Sequence, residues 1–500
     1  MTERTIKIMV TLILVLNGLN LAYANVNEVI KSGTSYSNKY MSSGVDQNSL
    51  TYNYSTTNSE HFTLHYTLSG TDAVTTSFRD STLSILEQMW SFQVSETGFS
   101  PPPGSGDGKV HVYLKDMITP YGLVYGQTVP LNQYGGTDVE AYIEIDNDFL
   151  NQGYTARGLN GLRVTIAHEF FHAIQMGYRY SPQYHYFYEW GSTWMEDYAF
   201  PEINDYIYYI NDFFETPEAS IRSAMGNIEY AHCLLFQTIE LNSGSIAIVN
   251  ILENFKEIDG DPFQCIKNAV VQDGYSVDEL AMDYLIYCMF TGERSVADFG
   301  FQDASIMPEI ELSTGNVSDL NWQTNLGEWG IFGGYLNGGV QGQAGVTVSS
   351  PYDHSFFTAV FNQQSIDFSF NDDNNLLYGD KAVAGVINLS DAENEIEMFA
   401  APEREGLPTS ITLKTGYPNP FNSTIRWNYL LDKPGKIDMF IVNVLGQEIL
   451  HSTFTSGQKR NGSIFWDGKD KSGMACPSGF YILNLNAGNE HVSSKVLKIK

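Results

Sequence analysis

The hydrophobic period changes twice along this chain, and the order of these changes restricts the folds that it can adopt. Alternating apolar residues predict strands at residues 61–66, 109–115 and 141–146, and residues 72–95 predict an amphipathic helix. The period is helical over residues 159–288, and short β-type runs separated by Gly, Asn and Asp turns follow it. This order predicts an α+β domain followed by all-β modules.

With 500 residues, the chain is long enough for about three domains. We expect a multidomain protein in which the α+β domain is followed by two β-sandwich modules of Ig-like type. The expected segments are a signal peptide (1–24), a leader or short pro-segment (25–58), an α+β domain (59–292), a β-rich accessory domain (293–400), a linker (401–406) and a C-terminal module (407–500).

The N-terminus is typical of a secretory signal. Arg4 and Lys7 precede an apolar run from Ile8 to Leu16, and the small residues of Ala22–Ala24 suit a cleavage site. This run is shorter than the roughly 18 apolar residues that a transmembrane helix requires. No later segment is long and apolar enough either, so we expect an exported protein without a transmembrane span.

Charge is distributed unevenly along the chain. The whole sequence has 27 Lys and Arg against 58 Asp and Glu, a net charge of −31, which argues against nucleic acid as a partner. Residues 407–500 hold 11 basic and 6 acidic side chains and therefore have a net charge of +5. This change of sign indicates a separate C-terminal module, and we expect the chain up to about Pro402 to fold without it. The acidic residues in the rest of the chain are compatible with incidental Ca²⁺ binding.

The four cysteines lack the spacing of a metal site and are too few for a disulfide scaffold. The sequence leaves two alternatives open. One or two disulfides could form among Cys233, Cys265 and Cys288, or the cysteines could be buried thiols.

The segment His168-Glu169-Phe170-Phe171-His172 contains the residues best suited to catalysis. It lies in a helical pattern, so His168 and His172 project from one face and can reach a single tetrahedral ion. Glu169 then lies beside the open position of the metal, where it can accept a proton from a water that attacks a carbonyl. The alternative is a buried helix with two hydrogen-bonded histidines.

A catalytic zinc needs a third protein ligand, and a carboxylate from a following helix often supplies it. Glu189 and Glu196 are seven residues apart on the next predicted helix, so they return to nearly the same face. Trp190 and Trp194 beside them indicate that this segment packs inward. The spacing allows either glutamate to be the ligand, while the other serves the surrounding polar groups.

These segments resemble the gluzincin metallopeptidases, in which HExxH is followed by a glutamate ligand on a second helix. The resemblance implies a zincin-like catalytic domain that binds Zn²⁺ through His168, His172 and Glu189, with Glu169 as general base. Trp190 stands where the family usually has Gly. The stretches HEFFHAIQMGY and EWGSTWMED are similar to secreted bacterial metalloproteases of the immune-inhibitor-A-like and MXAN-type groups.

Three further expectations follow from this resemblance. The chain lacks the Gly-x-Met-Glu-Asn stretch with which related aminopeptidases bind a free amine, which favours an endopeptidase. Extended substrate would then pair with the edge strand before the zinc helix, for which Ala141–Asp146 is the candidate. Related enzymes also stabilise the developing oxyanion with a Tyr or His from a later helix, and Tyr230 or His232 could do so.

The C-terminal module contains several spaced motifs that resemble the type IX secretion C-terminal sorting domain over nearly all of residues 407–500. The resemblance implies that the secretion machinery is a partner and that a Gram-negative bacterium exports the protein through its periplasm and outer membrane. A generic carbohydrate-binding or adhesive sandwich is the alternative. The motifs lie at Gly416–Asn422, Ile441–Glu448, Trp466–Asp470, Ser478–Ile482 and Ser494–Lys500.

We therefore expect a secreted, monomeric zinc metallopeptidase that hydrolyses protein or peptide substrates. The alternative from another class is a surface adhesin or binding protein with an inactive zincin-like domain. Metal content together with a peptide-cleavage assay distinguishes the two.

Overall fold

The computed structural model describes most of the chain from Tyr54 onward. The expected signal peptide and residues 25–53 of the expected leader lie outside the described residues. Among the residues that are described, no helix has the length and apolarity needed to cross a bilayer. The described ranges are 54–131, 136–223, 225–258, 260–297, 299–316, 320–337, 340–350, 352–361, 366–370, 375–379, 381–401, 411–431, 436–455, 461–487 and 490–499.

The chain forms two compact units, and together their helices and several β-sheets make a multidomain α+β protein. The first unit comprises residues up to Tyr209 together with Ala224–Cys233 and Ile251–Cys265. The second comprises Ile210–Ser223, Leu234–Asn250 and Ile266–Lys500. The boundary therefore differs from the one expected at residue 292.

One five-stranded sheet belongs to the first unit, in the order β1-β2-β3-β5-β4. Pairs β2/β3 and β3/β5 are parallel, whereas β1/β2 and β4/β5 are antiparallel. The strands are β1 (Ser55–Asn58), β2 (Phe62–Tyr66), β3 (Val110–Lys115), β4 (Gly126–Pro130) and β5 (Ala141–Asp146).

Two sequence-based expectations are corrected by this sheet. Ser55–Asn58 pairs with β2, so the folded domain begins inside the segment expected to be a leader. Ala141–Asp146 was expected at the edge, but it lies between β3 and β4 and is buried along its whole length. The edge position belongs to β4, which the sequence pattern did not predict.

The helices agree with the helical period of the sequence. The longest, α3, begins at residue 159, where the helical period of the sequence begins, and most of its 20 residues are buried. Residues 228–243 form two helices, with His232 between them. The helices are α1 (Thr76–Trp90, continued by a π-helical turn over Ser91–Glu96), α2 (Ile118–Tyr121), α3 (Leu159–Tyr178), α4 (His185–Ala199), α5 (Asn211–Glu215), α6 (Ile228–Ala231), α7 (Cys233–Ser243), α8 (Ser245–Glu257), α9 (Pro262–Gln272) and α10 (Val277–Met289).

In the second unit, sheets β11-β10-β13-β8-β6 and β12-β9-β14-β7 contribute to one apolar core. The strands are β6 (Ser313–Asn316), β7 (Asn321–Leu326), β8 (Ile331–Asn337), β9 (Val340–Ser349), β10 (His354–Phe361), β11 (Ile366–Phe370), β12 (Asn375–Gly379), β13 (Lys381–Asn388) and β14 (Asn394–Ala401).

Sheets β15-β16-β19 and β18-β17-β20-β21 contribute to another apolar core near the C-terminus. Each of the two cores therefore lies within a two-sheet sandwich. The strands are β15 (Ile411–Leu413), β16 (Ile425–Leu431), β17 (Lys436–Asn443), β18 (Glu448–Thr455), β19 (Asn461–Trp466), β20 (Gly479–Ala487) and β21 (Glu490–Lys498).

Helix α10 packs against the first of these sandwiches, which explains the displaced boundary. A Cβ atom on Gly333 would lie 2.2 Å from Cε of Met289, and one on Gly385 would lie 2.3 Å from Sδ of the same methionine. Two glycines on neighbouring strands thus make room for the end of the helix. All four cysteines are buried free thiols, so the disulfides that the sequence left open do not form.

Candidate metal and catalytic site

Two histidines and a glutamate converge between α3 and α4 in the first unit. His168 and His172 are one helical turn apart, and their ring centroids are separated by 4.6 Å. Glu189 places Oε2 3.1 Å from Nε2 of His168 and Oε1 3.5 Å from Nε2 of His172. Within the described part of the chain, this is the only group of three or more His, Cys, Asp and Glu side chains that could hold a metal ion.

The other nitrogen of each histidine ring has its own polar partner. Nδ1 of His168 lies 2.6 Å from Oε1 of Glu196. Nδ1 of His172 lies 2.9 Å from Oγ of Ser192 and 3.0 Å from Oε1 of Gln175. These contacts orient both rings with Nε2 toward Glu189. Glu189 and Glu196 therefore have different positions: the first faces both Nε2 atoms and the second faces Nδ1 of His168.

Glu169 is buried beside this cluster and is held by the edge strand. The hydroxyl of Thr128 in β4 lies 2.8 Å from Oε2 of Glu169 and 2.8 Å from its backbone oxygen. Close approach of β4 is possible because residue 126 is glycine: a Cβ there would lie 3.1 Å from Cγ of Glu169 and 2.8 Å from Cγ2 of Thr165. Sequence reasoning missed this contact because it missed β4.

The electrostatics of the cluster favour a positive charge. Burial acts to lower the pKa of His168, but its contacts with Glu189 and Glu196 outweigh this and raise the pKa well above its ordinary value. Burial raises the pKa of Glu169, and Glu189 adds to this effect, while His168, His172 and Thr128 oppose it. Burial also raises the pKa of Glu196.

A cavity of about 310 Å³ opens beside these residues within the first unit. Tyr230 lines it, and the ring centroid of Tyr230 lies 6.4 Å from that of His168. His232, the alternative from the sequence, instead packs its ring edge-on to Trp190, 5.6 Å away. The polar residues of the wall include Thr128, His168, Glu169, His172, His185, Glu189, Glu196, Asp205, Tyr209 and Tyr230.

Sequence reasoning also missed His185. Its Nε2 lies 3.5 Å from Oε1 of Glu189 and 3.7 Å from Oε2 of Glu229. It begins the helix that contains Glu189, and the two are four residues apart, so the helical spacing could have indicated the contact.

The residues present fit a divalent cation of the zinc type. One ring nitrogen of each histidine and one carboxylate oxygen of Glu189 lie within 4.8 Å of one another, and imidazole with carboxylate is a donor set that zinc accepts. Both oxygens of the buried Glu189 carboxylate face imidazole nitrogens: Oε2 faces Nε2 of His168, and Oε1 faces Nε2 of His172. A buried carboxylate oxygen facing two oriented imidazoles is what a cation would satisfy.

Comparison with solved structures gives distant likenesses. Dimeric latent PorU from Porphyromonas gingivalis is 13% identical over 38% of this chain and 19% of that chain, with a TM-score of 0.16. PorZ of the same species, a surface component of the type-IX secretion system, is 12% identical over 23% of this chain and 15% of that chain, with a TM-score of 0.14. The chain thus spans a fifth or less of either protein, and likenesses at these TM-scores support no conclusion about fold or activity.

The comparison with curated proteins found no match. A family model described as a secretion system C-terminal sorting domain matches residues 415–500. This agrees with the motifs at the C-terminus of the sequence. The chain therefore contains a type IX secretion sorting domain and is exported to the cell surface or the medium.

Proposed function

We propose that the first unit is a zinc-dependent peptidase with a zincin-like domain, and that it acts as an endopeptidase on protein or peptide substrates. The observation on which this rests is the convergence of His168, His172 and Glu189 next to the buried Glu169, at the wall of a cavity. Two histidines with only a structural role would need neither the buried carboxylate of Glu189 beside them nor the second carboxylate, Glu169, at the same cavity.

His168, His172 and Glu189 would hold the zinc, and Glu196 would orient His168 through its Nδ1 atom. When bound, zinc supplies Lewis-acid chemistry that polarises a carbonyl and lowers the pKa of a water. Ser192 and Gln175 orient His172 in the same manner. Contacts of this kind typically determine the tautomer as well as the ring position.

Glu169 is the general base in this proposal. Its carboxylate takes a proton from the attacking water and gives it to the amine that leaves when the peptide C–N bond breaks. Burial raises the pKa of Glu169 toward the working pH, which makes the carboxylate a better proton acceptor. Thr128 holds the carboxylate in place from the edge strand.

The substrate would lie along β4. This strand pairs with β5 on one side and ends the sheet on the other, so its outer edge can bind an extended peptide beside the cavity. Tyr230 would donate a hydrogen bond to the oxygen that becomes negative. Burial raises the pKa of Tyr230 well above its ordinary value, so its hydroxyl stays protonated and able to donate.

Glu169→Gln tests this function directly. The variant keeps the shape of the side chain but cannot accept the proton, so we expect zinc to remain bound while peptide hydrolysis falls by roughly 10²–10⁴-fold. The control is Glu87→Gln, which changes a half-buried glutamate that contacts His61 and does not line the cavity. A chelator should abolish the activity and added Zn²⁺ should restore it.

Two results would count against the proposal. Cleavage by Glu169→Gln at the wild-type rate would remove Glu169 from the mechanism. Zinc-loaded wild-type protein that cleaves no member of a diverse peptide library would instead favour the binding protein with an inactive zincin-like domain.

A further inference from the structure

A buried charge pair links α10 to the sorting domain within the second unit. Asp283, in the middle of α10, forms an ion pair with the guanidinium of Arg426 in β16. The side chains are only 4% and 14% exposed, respectively. A pair this well shielded from water differs from an exposed surface pair, because losing either partner leaves a buried charge without its counterion.

Aromatic residues extend the contact around this pair. Tyr275 donates a hydrogen bond to Oδ2 of Asp283 over 2.5 Å. The same ring stacks on Tyr417 of the sorting domain, with centroids 5.2 Å apart and planes within 8° of parallel. The hydroxyl of Tyr417 in turn donates to Oγ of Ser243 at 2.5 Å. The contact thus combines hydrogen bonds with a stacked pair of aromatic rings.

The periphery of the contact has complementary charge. Glu279, one turn before Asp283, lies 3.9 Å from Nζ of Lys414 and 3.5 Å from Nδ2 of Asn428. The acidic groups come from α10, and the basic ones come from the C-terminal segment, whose net charge is opposite to that of the rest of the chain. Farther along, Phe299 meets Phe465 of β19 edge-on at 5.5 Å.

We propose that Ser243 at the end of α7, Tyr275 just before α10, and Glu279 and Asp283 of α10 together form a docking surface for the sorting domain. The domain is held there by its own non-covalent contacts and not only by the chain that connects it. It therefore stays bound, and keeps stabilising α10, when the connection between Ala401 and Ile411 is cut. The sequence predicts a separate module, and the structure adds a buried interface that this module shares with α10.

The test uses the full chain with the recognition sequence of a site-specific protease placed within residues 402–410. After cleavage, we expect the two pieces of the wild-type chain to co-elute in size-exclusion chromatography. Arg426→Met keeps most of the side-chain volume but removes the charge, and we expect it to weaken the association by about 100-fold or more. The matched control is Lys436→Met, which removes a cation that is 65% exposed in the same module.

Separation of the cleaved wild-type pieces at micromolar concentration would overturn the proposal, and so would equal weakening by the two Met variants. A second measurement on the uncut chain does not depend on cleavage. We expect Arg426→Met to lower the unfolding temperature by roughly 6 °C or more, and the double variant Asp283→Leu/Arg426→Met to recover at least half of this loss. Additive losses in the double variant would show that the two residues do not interact, and would also overturn the proposal.

Discussion

Glu196→Ala removes the acceptor that orients His168 and leaves the donor atoms of His168, His172 and Glu189 in place. The contact that it removes is short, with 2.6 Å between Oε1 of Glu196 and Nδ1 of His168. Both groups are largely buried, so water cannot easily substitute for the lost carboxylate. The variant therefore separates orientation of a ligand from ligation itself.

The structure sets the expected size of the effect. A hydrogen bond to a charged group typically contributes about 1.5–3 kcal/mol, and a tenfold change in affinity corresponds to about 1.4 kcal/mol. We therefore expect Glu196→Ala to weaken zinc binding by roughly 10–100-fold, the range typical for residues that orient metal ligands. Glu196→Gln keeps an acceptor oxygen and should lose about tenfold at most. Glu189→Ala removes a proposed ligand and should lose more than about 100-fold.

Zinc affinity can be measured by competition with a chromogenic chelator, and the unfolding temperature of the metal-free protein controls for folding. The exposed Glu202, just beyond α4, provides the control variant Glu202→Ala. Equal loss of zinc in Glu196→Ala and Glu189→Ala would refute this division of roles. An affinity of Glu196→Ala within twofold of wild type would refute the orienting contact.

Two further predictions concern the first unit. Gly126→Ala should reduce peptide hydrolysis and lower the free energy of unfolding by about 1–3 kcal/mol, because the new Cβ would clash with Glu169 and Thr165. Activity assays and urea unfolding measure the two effects. The control is Gly106→Ala, where a Cβ meets open space, and it should change neither quantity. Burial lowers the pKa of His232 from 6.5 to about 3, so the unfolded chain binds a proton that the folded chain does not, and stability is lost as the pH falls. Between pH 7 and pH 5 this loss amounts to about 2 kcal/mol. In urea unfolding, the stability of His232→Gln should therefore depend less on pH than that of wild type. The same dependence on pH in both proteins would contradict the lowered pKa of His232.

Local spacing predicted the parts of the site that lie on a single helix. The bounds of α3 follow from an uninterrupted helical period, and the i, i+4 spacing places His168 and His172 on one face. The edge strand β4 could not be found in the same way. It has five residues, begins with Gly126 and ends with Pro130, so it offers neither a clear alternation nor the usual strand residues. Its position depends on pairing with β5, which is a tertiary contact.

Contacts between distant segments explain the errors in the domain boundaries. The charge reversal at the C-terminus correctly predicted a distinct module, which the family match confirms as a sorting domain over residues 415–500. The same charge difference did not show that the module has a buried interface. Arg426 alternates with apolar residues in β16, and the sequence pattern makes it an ordinary solvent-facing strand residue. Only the folded chain shows that it meets Asp283.

The choice between Glu189 and Glu196 shows most clearly what spacing cannot decide. A spacing of seven residues places both side chains on one face of the helix but about 10 Å apart along its axis. The two glutamates therefore cannot occupy the same position at one ion. Which one faces the Nε2 atoms depends on the register of α4 against α3. The two helices run antiparallel, with Glu196 opposite His168 and Ser192 opposite His172. A shift of α4 by two turns would bring Glu196 to the place that Glu189 now occupies, while leaving every sequence motif unchanged.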